Sequence, residues 1–330
     1  MQALQVQALA PDYARCALVE LPVPEPSPGE ALIRVRAAAL NFPDLLMTRG
    51  EYQLKPPLPF VPGMEAAGEV VSAPAGSGFA PGDRVVAGTR LGGFADYAAV
   101  PLANLRTLPA SVSFETAAAF GSAYLTAYVA LVELGQLQAG QWVLVHGATG
   151  GVGLAAVDLA QALGARVIAA SASPAKLAVV AREYAPAATI LAEGRFREKV
   201  AEITGGALAD LVYDPVGGDV FDESTRCVAF GGKLLVVGFT SGRIPDISVN
   251  IPLIKGFSIV GVRAGEYSRR FPDDGAFVRD ETLRLLAEGR IRPRVDRVLP
   301  LSRWREGFEA MANREVVGKV VFVPEGVSPG

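Results

Sequence analysis

Residues that bind transition metals or form disulfides are scarce in this sequence of 330 residues, which has two cysteines and one histidine. Cys16 and Cys227 lie far apart in unrelated contexts, so we expect two buried thiols, with a disulfide between them as the alternative. A catalytic zinc usually takes Cys and His among its ligands, and a structural zinc usually takes four of them. The sequence therefore predicts that no metal is bound.

Positive charge and long apolar runs are also lacking. The formal net charge is −3, so no overall positive field attracts nucleic acid or anionic membranes. No uncharged apolar stretch reaches the roughly 18–20 residues that span a bilayer. Residues 1–6 have no basic segment followed by an apolar run, as a secretion signal would. We therefore expect a cytoplasmic protein without a nucleic-acid or membrane partner.

The first third of the chain has the sequence pattern of a β-rich domain. Half of all residues are apolar, and 36 glycines and 24 prolines indicate many tight turns. Short strand-like runs occur at residues 31–36, 68–71 and 84–87, and they are separated by clusters rich in Pro and Gly. The length of 330 residues is enough for two domains.

From about Tyr124 the pattern changes to strands that alternate with helices. The strand-like segment WVLVHG is followed by a predicted helix over about 151–163. The strand RVIAAS then precedes a helix that begins near Pro174. This alternation predicts a parallel sheet with helices on both faces and right-handed crossovers.

The C-terminal part has a different order of elements. We expect a helix over about Asp280–Glu288, a strand at VDRVLP (residues 295–300), a helix capped by Ser302, and a closing strand at GKVVFVP (residues 318–324).

A glycine-rich loop at residues 146–153, HGATGGVG, carries the strongest single motif. It follows the strand at 142–145 and opens a helix. Gly150 and Gly151 would let the backbone approach a pyrophosphate, and Gly153 would let the helix pack closely on its strand. Because the loop lies between a strand and a helix in a repeating pattern, it predicts a dinucleotide site.

The residues after the second strand of this region indicate which dinucleotide binds. Sites that prefer NAD usually end that strand with Asp or Glu, whereas this chain has Ser171, followed by Lys176. A hydroxyl and a cation suit a 2′-phosphate, so we expect NADPH. The alternative is that Lys176 is an ordinary solvated helix residue. His146, the only histidine, ends a buried strand, and we expect it to pack or hydrogen-bond rather than to catalyse.

Several motifs in a fixed order resemble one family. They include AAALNFPDLLMTRGEY, PGMEAAGEV, HGATGGVG, DPVGG and VVGFTSG. Through them, essentially the whole chain resembles the zinc-free, zeta-crystallin-like quinone oxidoreductases of the medium-chain dehydrogenase/reductase superfamily. The resemblance implies an α/β protein with a GroES-like catalytic domain (1–122 and 264–330), a Rossmann NADP-binding domain (123–263), and an active-site cleft between them.

The same resemblance implies roles for individual residues. Zinc enzymes of the superfamily have a ligand Cys where this chain has Asn41, and a ligand His where it has Met64. Asn41 and Asp44 would lie beside the nicotinamide, and Tyr52 on the substrate side. The residues implied or predicted to contact the cofactor are Asn41, Thr126, Gly150, Gly151, Val152, Gly153, Ser171, Lys176, Val216, Gly238, Phe239, Ser241 and Arg314. A tyrosine that helps the family bind the 2′-phosphate is missing after the strand at 190–192.

These features together predict a reductase that transfers hydride from NADPH to a quinone or conjugated carbonyl. Asn41 or Tyr52 would donate to the developing oxyanion, and Tyr52 or water would supply the proton; Tyr52 as a packed loop aromatic is the alternative. Arg263 either anchors an anionic substrate or is a surface or interface arginine. The former would favour a 2-enoate or enoyl-thioester reductase. A non-catalytic NADPH-binding protein is the further alternative.

The strand at 257–262 predicts the assembly. It is apolar and β-branched, with no proline or charge inside it, and it would close one edge of the Rossmann sheet. An open edge of this kind is an aggregation hazard. We therefore expect a homodimer in which two such strands pair across a two-fold axis.

Overall fold

A computed structural model of the chain describes residues 1–325. The chain forms two compact units. Unit 1 contains residues 1–122 and the residues from 293 onwards, and unit 2 contains residues 123–292. The chain thus leaves unit 1 once and returns to it once.

The second boundary differs from the predicted one, because residues 264–292 belong to unit 2. Their helices pack on the helical segment at 129–134 and its neighbours. The Tyr267 hydroxyl donates to Glu133 Oε2 at 3.2 Å, and the Tyr128 and Phe277 rings lie 6.5 Å apart between centroids. The family pattern predicted that the chain returns to the first domain directly after the last strand of the Rossmann sheet. It did not indicate these side-chain contacts.

Unit 1 is built mainly from antiparallel strands. Its elements are β1 (Gln2–Val6), β2 (Cys16–Glu20), β3 (Glu30–Ala39), α1 (Phe42–Arg49), β4 (Glu65–Ser72), β5 (Arg84–Gly88), β6 (Tyr97–Pro101), a 3₁₀ turn (Leu102–Asn104), β7 (Leu105–Thr107), and, after unit 2, β14 (Val295–Pro300), a 3₁₀ turn (Leu301–Arg303), α10 (Trp304–Ala312) and β15 (Lys319–Val323). β1 and β2 pair with each other. The larger sheet has the order β14-β15-β3-β4-β5-β7, with β6 also paired to β3.

The core of unit 1 joins the N-terminal and C-terminal segments. The Phe94 and Phe322 rings meet edge to face with centroids 5.2 Å apart, and Phe308 lies 6.3 Å from each of them. All three side chains are buried. Because β15 pairs with β3, these aromatic contacts hold the returning chain against the first 122 residues.

Unit 2 contains a six-stranded sheet that is parallel throughout. Its elements are α2 (Phe114–Tyr128, which begins in unit 1), a π-helical segment (Val129–Leu134), β8 (Trp142–Val145), α3 (Gly151–Ala162), β9 (Arg166–Ser171), α4 (Pro174–Tyr184), β10 (Ala188–Leu191), α5 (Arg197–Ile203), β11 (Ala209–Asp214), α6 (Gly218–Ser224), β12 (Val228–Val236), α7 (Asn250–Lys255), β13 (Ser258–Gly261), α8 (Ala264–Arg270) and α9 (Pro272–Ala287).

The strand order is β10-β9-β8-β11-β12-β13. This is the doubly wound Rossmann order, in which the direction of winding reverses between the first and the fourth strand, here β8 and β11. Ligands of such sheets bind beyond the carboxyl ends of the strands at that reversal. The predicted combination of a GroES-like domain with a Rossmann sheet is confirmed.

Two helix boundaries near the C-terminus differ from prediction. α9 begins at Pro272 rather than near Asp280, and its start is marked by that proline and by Asp273 and Asp274 in the first turn. Ser302 does not cap a helix. It lies in a 3₁₀ turn, and Arg303 is the residue that precedes α10.

One helical segment, Phe114–Leu134, is long and apolar enough to cross a membrane by length and composition alone. Within its most apolar window 61% is buried inside the structure. It also carries Glu115 and Glu133. A buried core helix satisfies the same criterion, so this segment is weak support for a membrane span.

Candidate functional site

The predicted phosphate loop lies at the reversal point of the sheet in unit 2, between β8 and α3. Gly147 has a φ of +56°, and Gly150 is the extended residue before the helix. A Cβ on Gly153 would lie 2.1 Å from the Gly147 carbonyl oxygen. Glycine is therefore required at position 153 because the first turn of α3 packs on the loop itself, whereas the sequence suggested packing on the strand.

The other side of the loop leaves room for a ligand. The nearest atom to a Cβ built on Gly150 is the Gly147 carbonyl oxygen, at 3.5 Å. The N–H groups of Gly151, Val152 and Gly153 lie in the first turn of α3, where a helix offers them no acceptor. These groups and the positive end of the helix suit a pyrophosphate. The loop residues thus fit a dinucleotide.

Ser171 holds the loop to the neighbouring strand. Its hydroxyl is buried, lies 3.3 Å from Thr149 Oγ1, and accepts from the Ser173 N–H at 3.3 Å. The predicted contact between Ser171 and a 2′-phosphate would compete with these bonds. Lys176 lies in the first turn of α4, whose N-cap is Ser173, and its side chain is half-buried.

Val216, implied to border the adenine, is interlocked with the residues implied to hold the nicotinamide in the loops after β11 and β12. The Ser241 N–H donates to the Val216 carbonyl at 2.9 Å, and the Gly238 N–H donates to the Asp214 carbonyl at 3.3 Å. A Cβ on Gly217 would lie 2.9 Å from Phe239 Cδ1. The structure therefore brings Val216, Gly238, Phe239 and Ser241 together at the carboxyl ends of these two strands.

Asp214 organises this pair of loops and was not identified from the sequence. Its Oδ1 accepts from the N–H groups of Val216 at 2.8 Å and Gly217 at 3.0 Å, and burial raises the pKa of its carboxyl. An Asp that ends a strand and is followed by Pro-Val-Gly-Gly is the local signal that would have predicted this turn.

His146 is a core residue, as the sequence predicted. Its side chain is completely buried, Nε2 lies 2.7 Å from Ser224 Oγ, and the ring lies 5.2 Å from that of Phe196. Burial lowers the pKa of the imidazole to about 3, so the ring is neutral.

Asp44, in unit 1, holds two loops together. Its Oδ2 accepts from the Asn41 N–H at 2.9 Å, and its Oδ1 accepts from the Gly63 N–H at 3.0 Å. The side chain is completely buried, and this burial raises its pKa to about 7. Both oxygens accept from backbone donors, so Asp44 connects the Asn41 loop to the Gly63 loop, and its catalytic role stays a prediction.

Asn41 belongs to a buried cluster with Glu65 and Lys319, which we call the Lys319 network. Lys319 Nζ donates to Asn41 Oδ1 at 2.6 Å and to Glu65 Oε1 at 2.8 Å, and Asn41 Nδ2 donates to Glu65 Oε1 at 2.8 Å. All three residues are at most 7% exposed. Since an ammonium group only donates, the amide oxygen of Asn41 must face Lys319. Its amide nitrogen therefore donates to Glu65 Oε1 at 2.8 Å and to the Ala39 carbonyl at 3.4 Å, and its role as an oxyanion donor stays a prediction.

The sequence did not identify Glu65 and Lys319 as residues of the site. Each is a single charge inside an apolar run, in PGMEAAGEV and VGKVVFV, and buried charges at such places are normally paired. Glu65 Oε2 also accepts from the Ser122 N–H at 2.7 Å, so the network reaches α2 where the chain leaves unit 1.

The four remaining predicted site residues lie on other elements. Tyr52 is half-buried on the core of unit 1, and Thr126 is half-buried on α2. Arg263 directly follows β13, its side chain is 66% exposed, and it lies 3.9 Å from Glu266. Arg314 follows α10 with a φ of +57° and is exposed.

The residues of a metal site do not converge in the described part of the chain. Within residues 1–325, no group of three or more His, Cys, Asp or Glu side chains could hold a metal ion. Cys16 and Cys227 are free and buried, and burial raises the pKa of their thiols to about 11 and about 12. Such thiols are weak ligands because the thiolate is the form that binds metals.

Comparisons with known proteins agree with this division into two domains. The family described as alcohol dehydrogenase GroES-like domain matches residues 27–110, and the family described as zinc-binding dehydrogenase matches residues 151–279. The chain is 40% identical to the quinone oxidoreductase-like protein 2 homolog of Nematostella vectensis over 89% of this chain and 81% of that protein.

Solved structures are similar over almost the whole chain. A probable oxidoreductase from Mycobacterium abscessus has a TM-score of 0.89 and 38% identity, covering 98% of this chain and 99% of that one. The quinone oxidoreductase from Thermus thermophilus, also solved in complex with NADPH, has a TM-score of 0.83 and 33% identity, covering 98% of this chain and 100% of that one. The chain belongs to the quinone oxidoreductase-like proteins of the medium-chain dehydrogenase/reductase superfamily.

Replacing Lys319 with Met should destabilise the protein, because it leaves the buried Glu65 carboxylate without its ammonium partner. Removing one partner of a buried ion pair costs about 3–5 kcal/mol, so the free energy of unfolding of Lys319→Met should fall by about that amount. Urea denaturation measures this free energy. The double variant Lys319→Met/Glu65→Gln removes both charges and should recover part of that loss. Lys199→Met changes an exposed lysine and should stay within about 0.5 kcal/mol of wild type. Equal stability of Lys319→Met and Lys199→Met would contradict the prediction.

Proposed function

We propose that this protein is an NADPH-dependent reductase that transfers hydride to a quinone or a related conjugated carbonyl without zinc. The observation that carries the proposal is the phosphate loop at the reversal point of the Rossmann sheet, with Gly150 open to a ligand and three free N–H groups in the next turn. The NADPH complex of the similar T. thermophilus quinone oxidoreductase supports the same cofactor.

The residues of unit 2 would bind and orient the cofactor. The loop at 147–153 would hold the pyrophosphate, Val216 would border the adenine, and Gly238, Phe239 and Ser241 would hold the nicotinamide. Bound NADPH supplies a hydride. Holding the reacting atoms at about 3–3.5 Å is then the main contribution of the protein.

The nature of the acceptor follows from the residues at the zinc-ligand positions. Asn41 and Met64 cannot replace a thiolate and an imidazole as strong zinc ligands. Simple carbonyls gain most from a Lewis acid, whereas quinones and enones spread the developing charge over their own conjugated system. Tyr52, half-buried on unit 1, is the remaining candidate to donate to the substrate oxygen.

A panel of quinones, small enones and enoyl thioesters tests the proposal through the loss of NADPH absorbance. We expect quinones or enones to be reduced, and turnover to be unchanged in excess chelator with well below one zinc per chain. Preferential reduction of enoyl thioesters would favour the alternative in which the exposed Arg263 anchors an anionic substrate. Tight NADPH binding without any turnover would favour a non-catalytic role, and inactivation by chelator would overturn the zinc-free mechanism.

NADPH should bind more tightly than NADH, because Lys176 would pair with the 2′-phosphate. Replacing Lys176 with Ala should weaken NADPH binding by about 1.5–3 kcal/mol, the value of a hydrogen bond to a charged group, and should leave NADH binding unchanged. Fluorescence titration measures both affinities. Lys199→Ala is the matched control, because Lys199 is exposed on α5. Equal affinity of the wild-type protein for the two cofactors would refute this preference.

We also propose a homodimer through β13. This strand ends the sheet of unit 2. Phe230, 88% exposed, packs beside its start, since a Cβ on Gly256 would lie 2.2 Å from the Phe230 ring. Val249, Leu253 and Ile254 next to it are 75–83% exposed. An apolar surface beside an open strand edge supports coverage by a second copy.

Leu253→Lys should weaken this dimer without lowering the melting temperature of the protomer, because the side chain is 81% exposed. Ile259→Lys, within β13, should weaken the dimer or make the protein insoluble. Light scattering at micromolar concentration measures the mass. A wild-type protein that is monomeric under these conditions would exclude the proposed assembly.

A further inference from the structure

Asp158, a buried carboxylate on α3, accepts a hydrogen bond from α2, the helix that enters unit 2. The Tyr124 hydroxyl, on α2, donates to Asp158 Oδ2, on α3, at 2.5 Å. Tyr124 is 2% exposed and Asp158 is 5% exposed. Burial and the nearby Asp158 charge raise the pKa of Tyr124 well above its usual value, so the hydroxyl keeps its proton and donates. The bond therefore links α2 to α3.

The same oxygen binds the segment that leaves unit 2. Asp158 Oδ2 accepts from the Arg292 N–H at 2.5 Å, and the Arg292 carbonyl accepts from the Tyr184 hydroxyl at 2.6 Å. Arg292 is the last residue of unit 2, and Tyr124 is the second residue of that unit. One carboxylate thus holds both ends of the unit against α3.

The link to Tyr124 also sets the rotation of α2 about its axis. Residues two apart on a helix point in directions about 200° apart. With Tyr124 buried against Asp158, Thr126 lies on the opposite side of α2, where it is only half-buried. Seven residues before Asp158, α3 begins at Gly151 in the phosphate loop. Asp158 is therefore placed to fix Thr126 relative to the pyrophosphate end of the cofactor site.

We propose that Asp158 is a positioning residue for hydride transfer, which acts through Tyr124 to hold α2 and Thr126 at the nicotinamide end of the site. This inference rests on the proposed binding of NADPH and on the expected approach of Thr126 to the nicotinamide. Asp158 itself does not contact the cofactor, because its oxygen is buried among Tyr124 and Arg292. Its loss should misplace the nicotinamide and leave the adenosine half in place.

The test compares two variants, in each of which a tyrosine near Asp158 loses its hydroxyl. Tyr124→Phe removes the bond to α2, whereas the control Tyr184→Phe removes the bond to the Arg292 carbonyl and leaves α2 linked. Three quantities are measured: the affinity for adenosine 2′,5′-bisphosphate, the fluorescence of bound NADPH, and the rate constant for hydride transfer to a quinone in a single turnover. The first reports the adenosine half, and the other two report the nicotinamide half.

For Tyr124→Phe we expect the affinity for the bisphosphate to stay within about twofold. The fluorescence of bound NADPH should shift toward that of the free cofactor, and the rate constant should fall about tenfold or more. Tyr184→Phe should match wild type in all three. Asp158→Asn keeps an oxygen that can accept both bonds and should retain most of the rate, while Asp158→Leu should resemble Tyr124→Phe.

Other results would overturn the inference. If Tyr124→Phe lowers only the melting temperature, or weakens both halves of the cofactor equally, Asp158 has a structural role alone. Wild-type rates and fluorescence in Tyr124→Phe would have the same consequence, even if Asp158→Leu fails to fold. A wild-type protein that binds NADPH but reduces no acceptor would instead contradict the proposed function, and the fluorescence comparison would still decide the role of Asp158.

Discussion

The site in unit 2 depends on one close approach, that of the Gly147 carbonyl to the first turn of α3. Any Cβ at position 153 would lie 2.1 Å from that oxygen, so the loop has its observed path only with glycine there. This path leaves Gly150 open and places the N–H groups of the next three residues in the first turn of the helix. The ability to hold a pyrophosphate is thus a consequence of backbone packing rather than of any charged side chain.

Each unit has one buried carboxylate that binds α2. In unit 1, Glu65 accepts from the Ser122 N–H, and in unit 2, Asp158 accepts from the Tyr124 hydroxyl. The two acceptors thus hold α2 on either side of the boundary between residues 122 and 123. Each unit therefore binds its own part of α2 through a polar contact.

The sequence predicted most of the fold because that information is local. Periodicity and the glycine motif were sufficient for β8, α3, β9 and the start of α4. The placement of residues 264–292 in unit 2 depends on contacts such as Tyr267 with Glu133, which are 134 residues apart. Glu65, Lys319 and Asp158 were missed for the same reason, since each finds its partner only after folding. The motif indicated Asn41 and Asp44 as site residues, but it did not indicate the buried bonds that they form.

The Lys319 network connects the missing zinc ligands with the kind of substrate that suits the protein. A zinc ion polarises a carbonyl because it keeps a coordination position open. The buried cation beside Asn41 is an ammonium group that donates to Asn41 and Glu65, so its charge is already neutralised by a carboxylate. It stabilises the loop around Asn41 without acting as an open electrophile. Under the proposed mechanism, the charge that develops during hydride transfer would be spread by the substrate itself, which is the property that distinguishes quinones and enones from simple carbonyls.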